Sequence, residues 1–94
     1  LGNNNALGRE QVREIFELVK NQPQIIVVNT AVPRPWRVAN NELINEIAAQ
    51  YPNTTVVDWS AISEGHPEYF APDGVHLVPT GVSVYVAEIV KSLK

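Results

Sequence analysis

The sequence predicts an α/β fold with a parallel sheet, and two observations support this prediction. Two short β-branched runs, at 25–28 and 55–59, alternate with segments in which apolar residues recur at helical spacing. The first run, Ile25-Ile26-Val27-Val28, has no polar alternation, which is typical of a parallel strand buried on both faces. A helical segment lies between the two runs, so the order strand, helix, strand indicates a βαβ crossover.

Three helices are predicted around these strands. The first spans 8–21 and ends before Pro23, and its apolar face is formed by Val12, Ile15, Phe16 and Val19. The second spans 38–51 and ends before a Pro-Asn pair. The third begins at Pro79, because proline suits the first turn of a helix.

The remaining segments are predicted to be connections. The stretch 31–36 is a stiff connector, because its two prolines fix φ and push the preceding residues toward extended geometry. The stretch 61–72 is predicted to be a polar loop in which His66 is an ordinary loop residue. Trp59, at the end of the second strand, is expected to lie in the core.

Two strands are too few for three one-sided helices, since a two-stranded sheet is marginal in water. We therefore expect further strands N-terminal to Leu1, with residues 1–94 forming the C-terminal part of a single domain. The opening segment 1–5, Leu-Gly-Asn-Asn-Asn, agrees with this expectation because it reads as the end of a strand passing into a loop.

The amino-acid composition excludes several classes of function. With 45% hydrophobic and 18% charged residues, the 94-residue chain has the composition of a soluble globular domain. A net charge of −3 with scattered basic residues argues against nucleic acid as a partner. The absence of cysteine excludes disulfides, thiolate catalysis and cysteine-ligated zinc.

The segment 71–77, Ala-Pro-Asp-Gly-Val-His-Leu, places an acid three residues before a histidine. Pro-Asp-Gly is strong turn chemistry, so the chain is predicted to reverse just ahead of His76. The Asp73 carboxylate can then accept the Nδ1–H of the imidazole, fix its tautomer and leave Nε2 free as a general base. These are two members of a hydrolase triad, and the nucleophile is missing.

Other interpretations of this pair stay open. The spacing also arises by chance in a turn with an ordinary surface histidine. Together with His66 and Glu68 the pair could bind a divalent metal, although the spacing matches no strong zinc signature. No serine lies in a Gly-x-Ser-x-Gly elbow, so none is assigned as the nucleophile among Ser60, Ser63, Ser83 and Ser92.

Gly2 and Asn4 at one end of the chain, with Asp73 and His76 near the other, resemble the last two sequence blocks of SGNH (GDSL-type) hydrolases. The segments 28–36, 57–59 and 65–70 are more closely similar to the extracellular domain of bacterial peptidoglycan O-acetyltransferases. The resemblance implies a flavodoxin-like three-layer fold. The blocks that supply the nucleophilic serine and an oxyanion glycine have no counterpart here and would lie upstream of Leu1.

The resemblance also implies roles for individual residues. Asn4 would donate to the oxyanion, His76 would be the base, and Asp73 would hold its imidazole. Since the carboxyl ends of parallel strands meet at one edge of a sheet, the loops that carry these residues can converge there with Trp36. Gly2, Arg34 and Trp36 are expected to contact substrate. The plainer alternatives are that Asn4 is a loop or capping residue and that Arg34 and Trp36 only form a rigid strand exit.

The implied function is serine-dependent O-acetyl transfer at the bacterial cell wall, on the C6 hydroxyl of N-acetylmuramoyl residues, without a cofactor or a metal. The implied partners are the missing N-terminal part of the domain, the peptidoglycan glycan and a membrane acyltransferase domain of the parent protein. That parent would place this chain on the extracellular face of a bacterial membrane. One alternative is a general carbohydrate or lipid esterase, and another is a non-catalytic remnant that binds a glycan or a partner.

Overall fold

The computed structural model describes residues 1–3 and 5–93. The helices are α1 (Arg9–Val19), α2 (Arg37–Ala48), α3 (Trp59–Ser63) and α4 (Pro79–Ser92), with one 3₁₀ turn at Pro67–Tyr69. The strands are β1 (Ile25–Val28) and β2 (Thr54–Val57), which pair in parallel across the α2 crossover. The predicted α/β fold with a parallel sheet is confirmed.

The strand register aligns Ile25 with Thr54 and Val28 with Val57. Both strands therefore end level with each other, and the loops that follow them leave from the same edge of the sheet. The strand ends are fastened by side chains, because Asn29 Nδ2 donates to Asp58 Oδ1 at 2.9 Å and Asn29 Oδ1 accepts from the Ser60 backbone N–H at 2.9 Å. This carboxyl edge is where the candidate site lies.

The main core lies between the helix pair α1–α2 and one face of the sheet. Its buried members are apolar residues of α1, β1 and α2, namely Val12, Phe16, Ile25, Ile47 and Ala48. Phe16 stacks on Tyr51 with ring centroids 5.0 Å apart, which joins the first helix to the end of the second. The predicted core positions Val12 and Phe16 are thus confirmed, whereas Ile15 remains substantially exposed.

Helix α4 packs against both strands, and an aromatic cluster anchors it. Trp59 is buried, as predicted, and Tyr85 of α4 meets it edge-on with centroids 5.0 Å apart. Tyr69 stacks on the same indole at 5.9 Å. Gly81 is buried and packs directly on the Tyr69 backbone, since a Cβ on this glycine would lie 2.1 Å from the Tyr69 carbonyl oxygen.

The segment after β2 differs from the prediction of a strand to Trp59 followed by a loop. The strand ends at Val57, and Asp58 caps α3 by accepting from the Ala61 backbone N–H at 3.1 Å. Trp59 and Ser63 are therefore helical, and the loop prediction for 61–72 was wrong at the end of α3 and at the 3₁₀ turn. The capping aspartate follows the strand directly and starts a helix too short to show apolar periodicity.

Among residues 1–3 and 5–93, no helix has the length and apolar character that crossing a membrane requires.

Candidate active site

A tight turn at residues 71–74 presents the acid and the histidine. The Gly74 N–H donates to the Ala71 carbonyl at 2.9 Å, with Pro72 and Asp73 at the two central positions. Gly74 has φ +72°, which glycine adopts without the strain that a side chain would add. The flanking segments pair through the bridge between Phe70 and Leu77, so the whole segment is a short hairpin.

Both carboxylate oxygens of Asp73 accept hydrogen bonds, one from the His76 ring and the other from the backbone. Oδ2 lies 2.5 Å from His76 Nδ1, and Oδ1 accepts from the backbone N–H groups of Val75 at 2.9 Å and of His76 at 3.0 Å. The bond to the His76 side chain, followed by these two backbone bonds, lowers the pKa of the Asp73 carboxyl from 3.8 to about 2. Asp73 is therefore a carboxylate at any pH at which the imidazole would act as a base.

His76 is oriented by this pair while the rest of its ring faces solvent. Its side chain is 81% exposed, and Nδ1 is the nitrogen that Asp73 engages. A neutral imidazole held through Nδ1–H has its lone pair on Nε2, which is the arrangement a general base requires. The chemistry available here is proton transfer to or from a group that approaches Nε2.

A second histidine–carboxylate pair lies in the same region but is built differently. His66 Nδ1 lies 2.8 Å from Glu68 Oε2, and the His66 ring stacks on Tyr69 with centroids 4.6 Å apart and planes 6° apart. The His66 side chain is 44% exposed. The four residues of the alternative metal site thus form two separate pairs, and no group of three or more potential metal ligands occurs within the described ranges.

In the first loop, residues 2, 5 and 7 are held to α2 by one buried side chain. Asn40 accepts from the Leu7 N–H at 2.8 Å and donates to the carbonyls of Gly2 at 3.0 Å and Asn5 at 2.8 Å. Gly2 is itself buried with φ +93°, and its carbonyl faces the helix. Asn4, the predicted oxyanion donor, lies outside the described residues, and its role stays a prediction.

The connector after β1 contacts both loops. Trp36 is half-buried and its indole N–H donates to the Asn3 carbonyl at 3.2 Å, and Thr30 Oγ1 also donates to Asn3 Oδ1. On the other side, Pro33 rests against the hairpin turn, since a Cβ on Gly74 would lie 3.1 Å from Pro33 Cγ. The connector therefore contacts both the first loop and the hairpin. Convergence of Asn4 and Trp36 with Asp73 and His76 stays a prediction.

The predicted substrate contacts Gly2, Arg34 and Trp36 differ in position. Arg34 is exposed, and its guanidinium donates to the Pro33 carbonyl at 3.2 Å. In the described part of the chain, no hydrogen bond or ion pair joins His76 to Arg34 or Trp36. Substrate contact by these three residues stays a prediction.

Two cavities open at this edge. A small one of about 140 Å³ lies between the first loop and the hairpin and is lined by residues that include Asn3, Val75 and Leu77. A larger one of about 570 Å³ lies between α2 and α3, and the linings of the two share Asn29, Ala31 and Phe70. The small cavity adjoins both segments that carry predicted catalytic residues.

Sequence reasoning missed the asparagines that fasten these loops. Asn41 holds Thr30 through both backbone groups, with its Oδ1 accepting at 3.0 Å and its Nδ2 donating at 2.8 Å, while Asn40 holds the first loop. Two asparagines inside an amphipathic helix were an available signal, because asparagine is a weak helix former that prefers caps and turns. Asn29, directly after β1, could have been found by its place at the carboxyl edge.

Comparison with known proteins shows similarity to segments of much longer chains. The protein is 40% identical over all 94 residues to YrhL of Bacillus subtilis, provisionally named a peptidoglycan O-acetyltransferase. It is 44% identical over 87 residues to the peptidoglycan O-acetyltransferase OatA of Listeria monocytogenes and 42% identical over 85 residues to SAS0844 of Staphylococcus aureus, provisionally named an O-acetyltransferase. Its relatives are O-acetyltransferases by name. The predicted resemblance to peptidoglycan O-acetyltransferases is confirmed.

The chain spans only about 15% of the length of YrhL and 14% of OatA. No protein-family model matches it. The SGNH type of the domain therefore stays a prediction.

Proposed function

We propose that this chain supplies the acid–base pair of a serine-dependent, SGNH-type O-acetyltransferase domain that acts on peptidoglycan. The observation that carries the proposal is the 2.5 Å contact between Asp73 Oδ2 and His76 Nδ1, on an imidazole that is otherwise open to solvent. The names of the relatives supply the substrate class. The nucleophilic serine belongs to polypeptide outside residues 1–94, and the parent protein presents this domain outside the cell beside a membrane acyltransferase domain.

The reaction follows from the geometry of the pair. His76 Nε2 takes the hydroxyl proton as the serine oxygen attacks the acetyl carbonyl, and the fixed Asp73 carboxylate stabilises the imidazolium. Asn4 donates to the oxyanion of the tetrahedral intermediate. The intermediate expels the donor's oxygen, which takes the proton from His76, and leaves an acetyl-serine. A glycan hydroxyl then attacks that ester while His76 takes its proton, and the serine oxygen leaves with the proton that His76 returns, which regenerates the serine and the neutral imidazole.

Matched variants of the two histidine–carboxylate pairs test this proposal in the complete polypeptide that contains the chain. His76→Ala and Asp73→Asn should each lower kcat for acetyl transfer by about 10³-fold or more, because they remove the base or its orienting group. His66→Ala and Glu68→Gln should leave kcat within about threefold of the parent. These two residues form a partly exposed pair that the proposal gives no role in catalysis. Unchanged activity in His76→Ala would contradict the catalytic proposal and favour a binding remnant.

A serine-directed fluorophosphonate locates the nucleophile in the same material. We expect intact-mass and peptide analysis to place the label outside residues 1–94, and a label on Ser60, Ser63, Ser83 or Ser92 would contradict the assignment. The esterase alternative is separated by product analysis. A transferase yields acetylated glycan, whereas an esterase yields free acetate from the acetyl-serine.

A further inference from the structure

We propose that Asn40 is a positioning residue for the oxyanion donor, because it fastens the backbone on both sides of Asn4 to helix α2. The inference rests on the proposed function, which gives Asn4 its catalytic role. In this proposal Asn40 does not act on the substrate itself and works through its bonds to Gly2, Asn5 and Leu7.

Among the described residues, the side-chain hydrogen bonds of Asn40 all go to this one loop. Its side chain is buried, with the residue only 2% exposed. The carbonyl oxygen accepts from the Leu7 N–H at 2.8 Å, and the amide donates to the carbonyls of Gly2 at 3.0 Å and Asn5 at 2.8 Å. The Leu7 N–H can only donate, so the orientation of the amide is fixed by its partners.

The hydrogen-bonding capacity of these backbone partners matches an asparagine side chain. One acceptor and two donors on the same short side chain match one backbone N–H and two backbone carbonyls. Aspartate would turn a carboxylate oxygen toward the carbonyls of Gly2 and Asn5 and lose both donations. An aliphatic residue would leave all three backbone groups without this partner in a largely buried position.

The anchor for the loop is rigid. Ile44 and Ile47 follow Asn40 by four and seven residues, lie on the same helical face, and are fully buried. Gly2 permits the close approach, since a Cβ there would lie 3.2 Å from Asn40 Nδ2 and 3.3 Å from Asn40 Cβ. Any displacement of Asn40 is therefore passed to the residues that flank Asn4.

The chain offers a control of the same chemistry at a more exposed position, at the opposite end of the sheet. Asn53 precedes β2 and donates from Nδ2 to the carbonyls of Lys20 at 3.2 Å and Gln22 at 2.7 Å. Asn53→Asp therefore removes the same two kinds of bond as Asn40→Asp and introduces the same charge. It does so away from the carboxyl edge.

The test measures acetyl transfer by the complete polypeptide that contains this chain. Asn40→Asp should lower kcat by about 10²-fold, because a displaced oxyanion donor no longer meets the developing charge. The KM for the acetyl donor should change by less than about threefold, since ground-state binding is left intact. Asn53→Asp should keep both constants within about threefold of the parent.

A double variant separates positioning from a general structural effect. If Asn40 acts through Asn4, the pair Asn40→Asp with Asn4→Ala should lose no more activity than Asn4→Ala alone. If the aspartate variant does not fold, Asn40→Ser gives the same comparison, because the serine hydroxyl supplies one hydrogen-bond donor at this position. Its kcat should fall between those of the parent and of Asn4→Ala.

Two results would overturn the inference in distinguishable ways. Additive losses in the double variant, or equal losses in Asn40→Asp and Asn53→Asp, would reject positioning by Asn40 while His76→Ala still abolishes activity. Full activity in His76→Ala would reject the proposed function, and the inference with it.

Discussion

At the scale of single residues, the acid of the pair has a measurable signature. Asp73 is held as a carboxylate by the His76 ring and by two backbone N–H groups, so its pKa lies near 2. Because the pKa in the folded protein is below the usual 3.8, these bonds stabilise the fold fully above about pH 4. That contribution is lost as the pH falls from about 4 toward 2.

We predict that the ¹³C shift of the Asp73 carboxyl titrates near pH 2 in the folded protein. In His76→Ala the midpoint should rise, because the largest cause of the depression is removed. It should stay below 3.8, since the Val75 and residue-76 backbone donors remain. A wild-type midpoint at or above 3.8 would show that the pair does not form in solution.

At the scale of elements, the hairpin depends on how closely α4 approaches the 3₁₀ turn. Tyr69 accepts from the Val78 N–H at 3.0 Å, and Gly81 leaves room for the same carbonyl. The first turn of α4 thus fixes the base of the segment that presents Asp73 and His76.

Gly81→Ala is therefore predicted to destabilise the protein by roughly 1–3 kcal/mol despite the better helix propensity of alanine, because the added Cβ overlaps a backbone oxygen. Thermal unfolding measured by circular dichroism checks this. Ser83→Ala, an exposed site on the same helix, is the control and should change stability by less than about 0.5 kcal/mol. Equal midpoints in both variants would contradict the close packing at Gly81.

The elements that sequence could predict are those with a strong period or a distinctive turn. α1, β1, α2 and α4 follow from apolar spacing, and the Pro-Asp-Gly turn follows from local chemistry that needs no tertiary contact. α3 was not predicted because five residues are too few to show the helical period of apolar residues. The roles of Asn40 and Asn41 escaped because their partners lie 11 to 38 residues away, and spacing along the chain does not reveal such contacts.

At the scale of the whole molecule, the solvent-accessible area of this chain is larger than that expected for a folded monomer of the same mass. Their accessible area is 5925 Å², whereas a folded monomer of 10.4 kDa exposes about 5400 Å². The exposed large apolar side chains include a stripe along α4 formed by Val82, Val86, Val90 and Leu93. Within residues 1–3 and 5–93, the sheet beneath that helix has two strands.

We predict that residues 1–94 on their own unfold in urea without one cooperative transition, because a two-stranded sheet leaves these faces uncovered. Circular dichroism at 222 nm and tryptophan fluorescence should give different midpoints. Fluorescence reports the α4 cluster through Trp59 and the carboxyl edge through Trp36, whereas the helical signal comes from all the helices. The complete polypeptide is the control. Coincident, steep transitions for residues 1–94 alone would show that this unit is stable by itself.

The locality of the hairpin has a consequence for inheritance. Its acid and base are neighbours within a single turn, and in the described part of the chain the side-chain hydrogen bonds of Asp73 all lie within residues 73–76. Catalysis by the pair, in contrast, depends on a hydroxyl from another part of the protein. If a protein lost its nucleophile during evolution, the Asp–His pair would still form, and its presence would not impair folding. The motif can outlive the chemistry, and genomes should contain well-formed copies of it in proteins that no longer transfer anything.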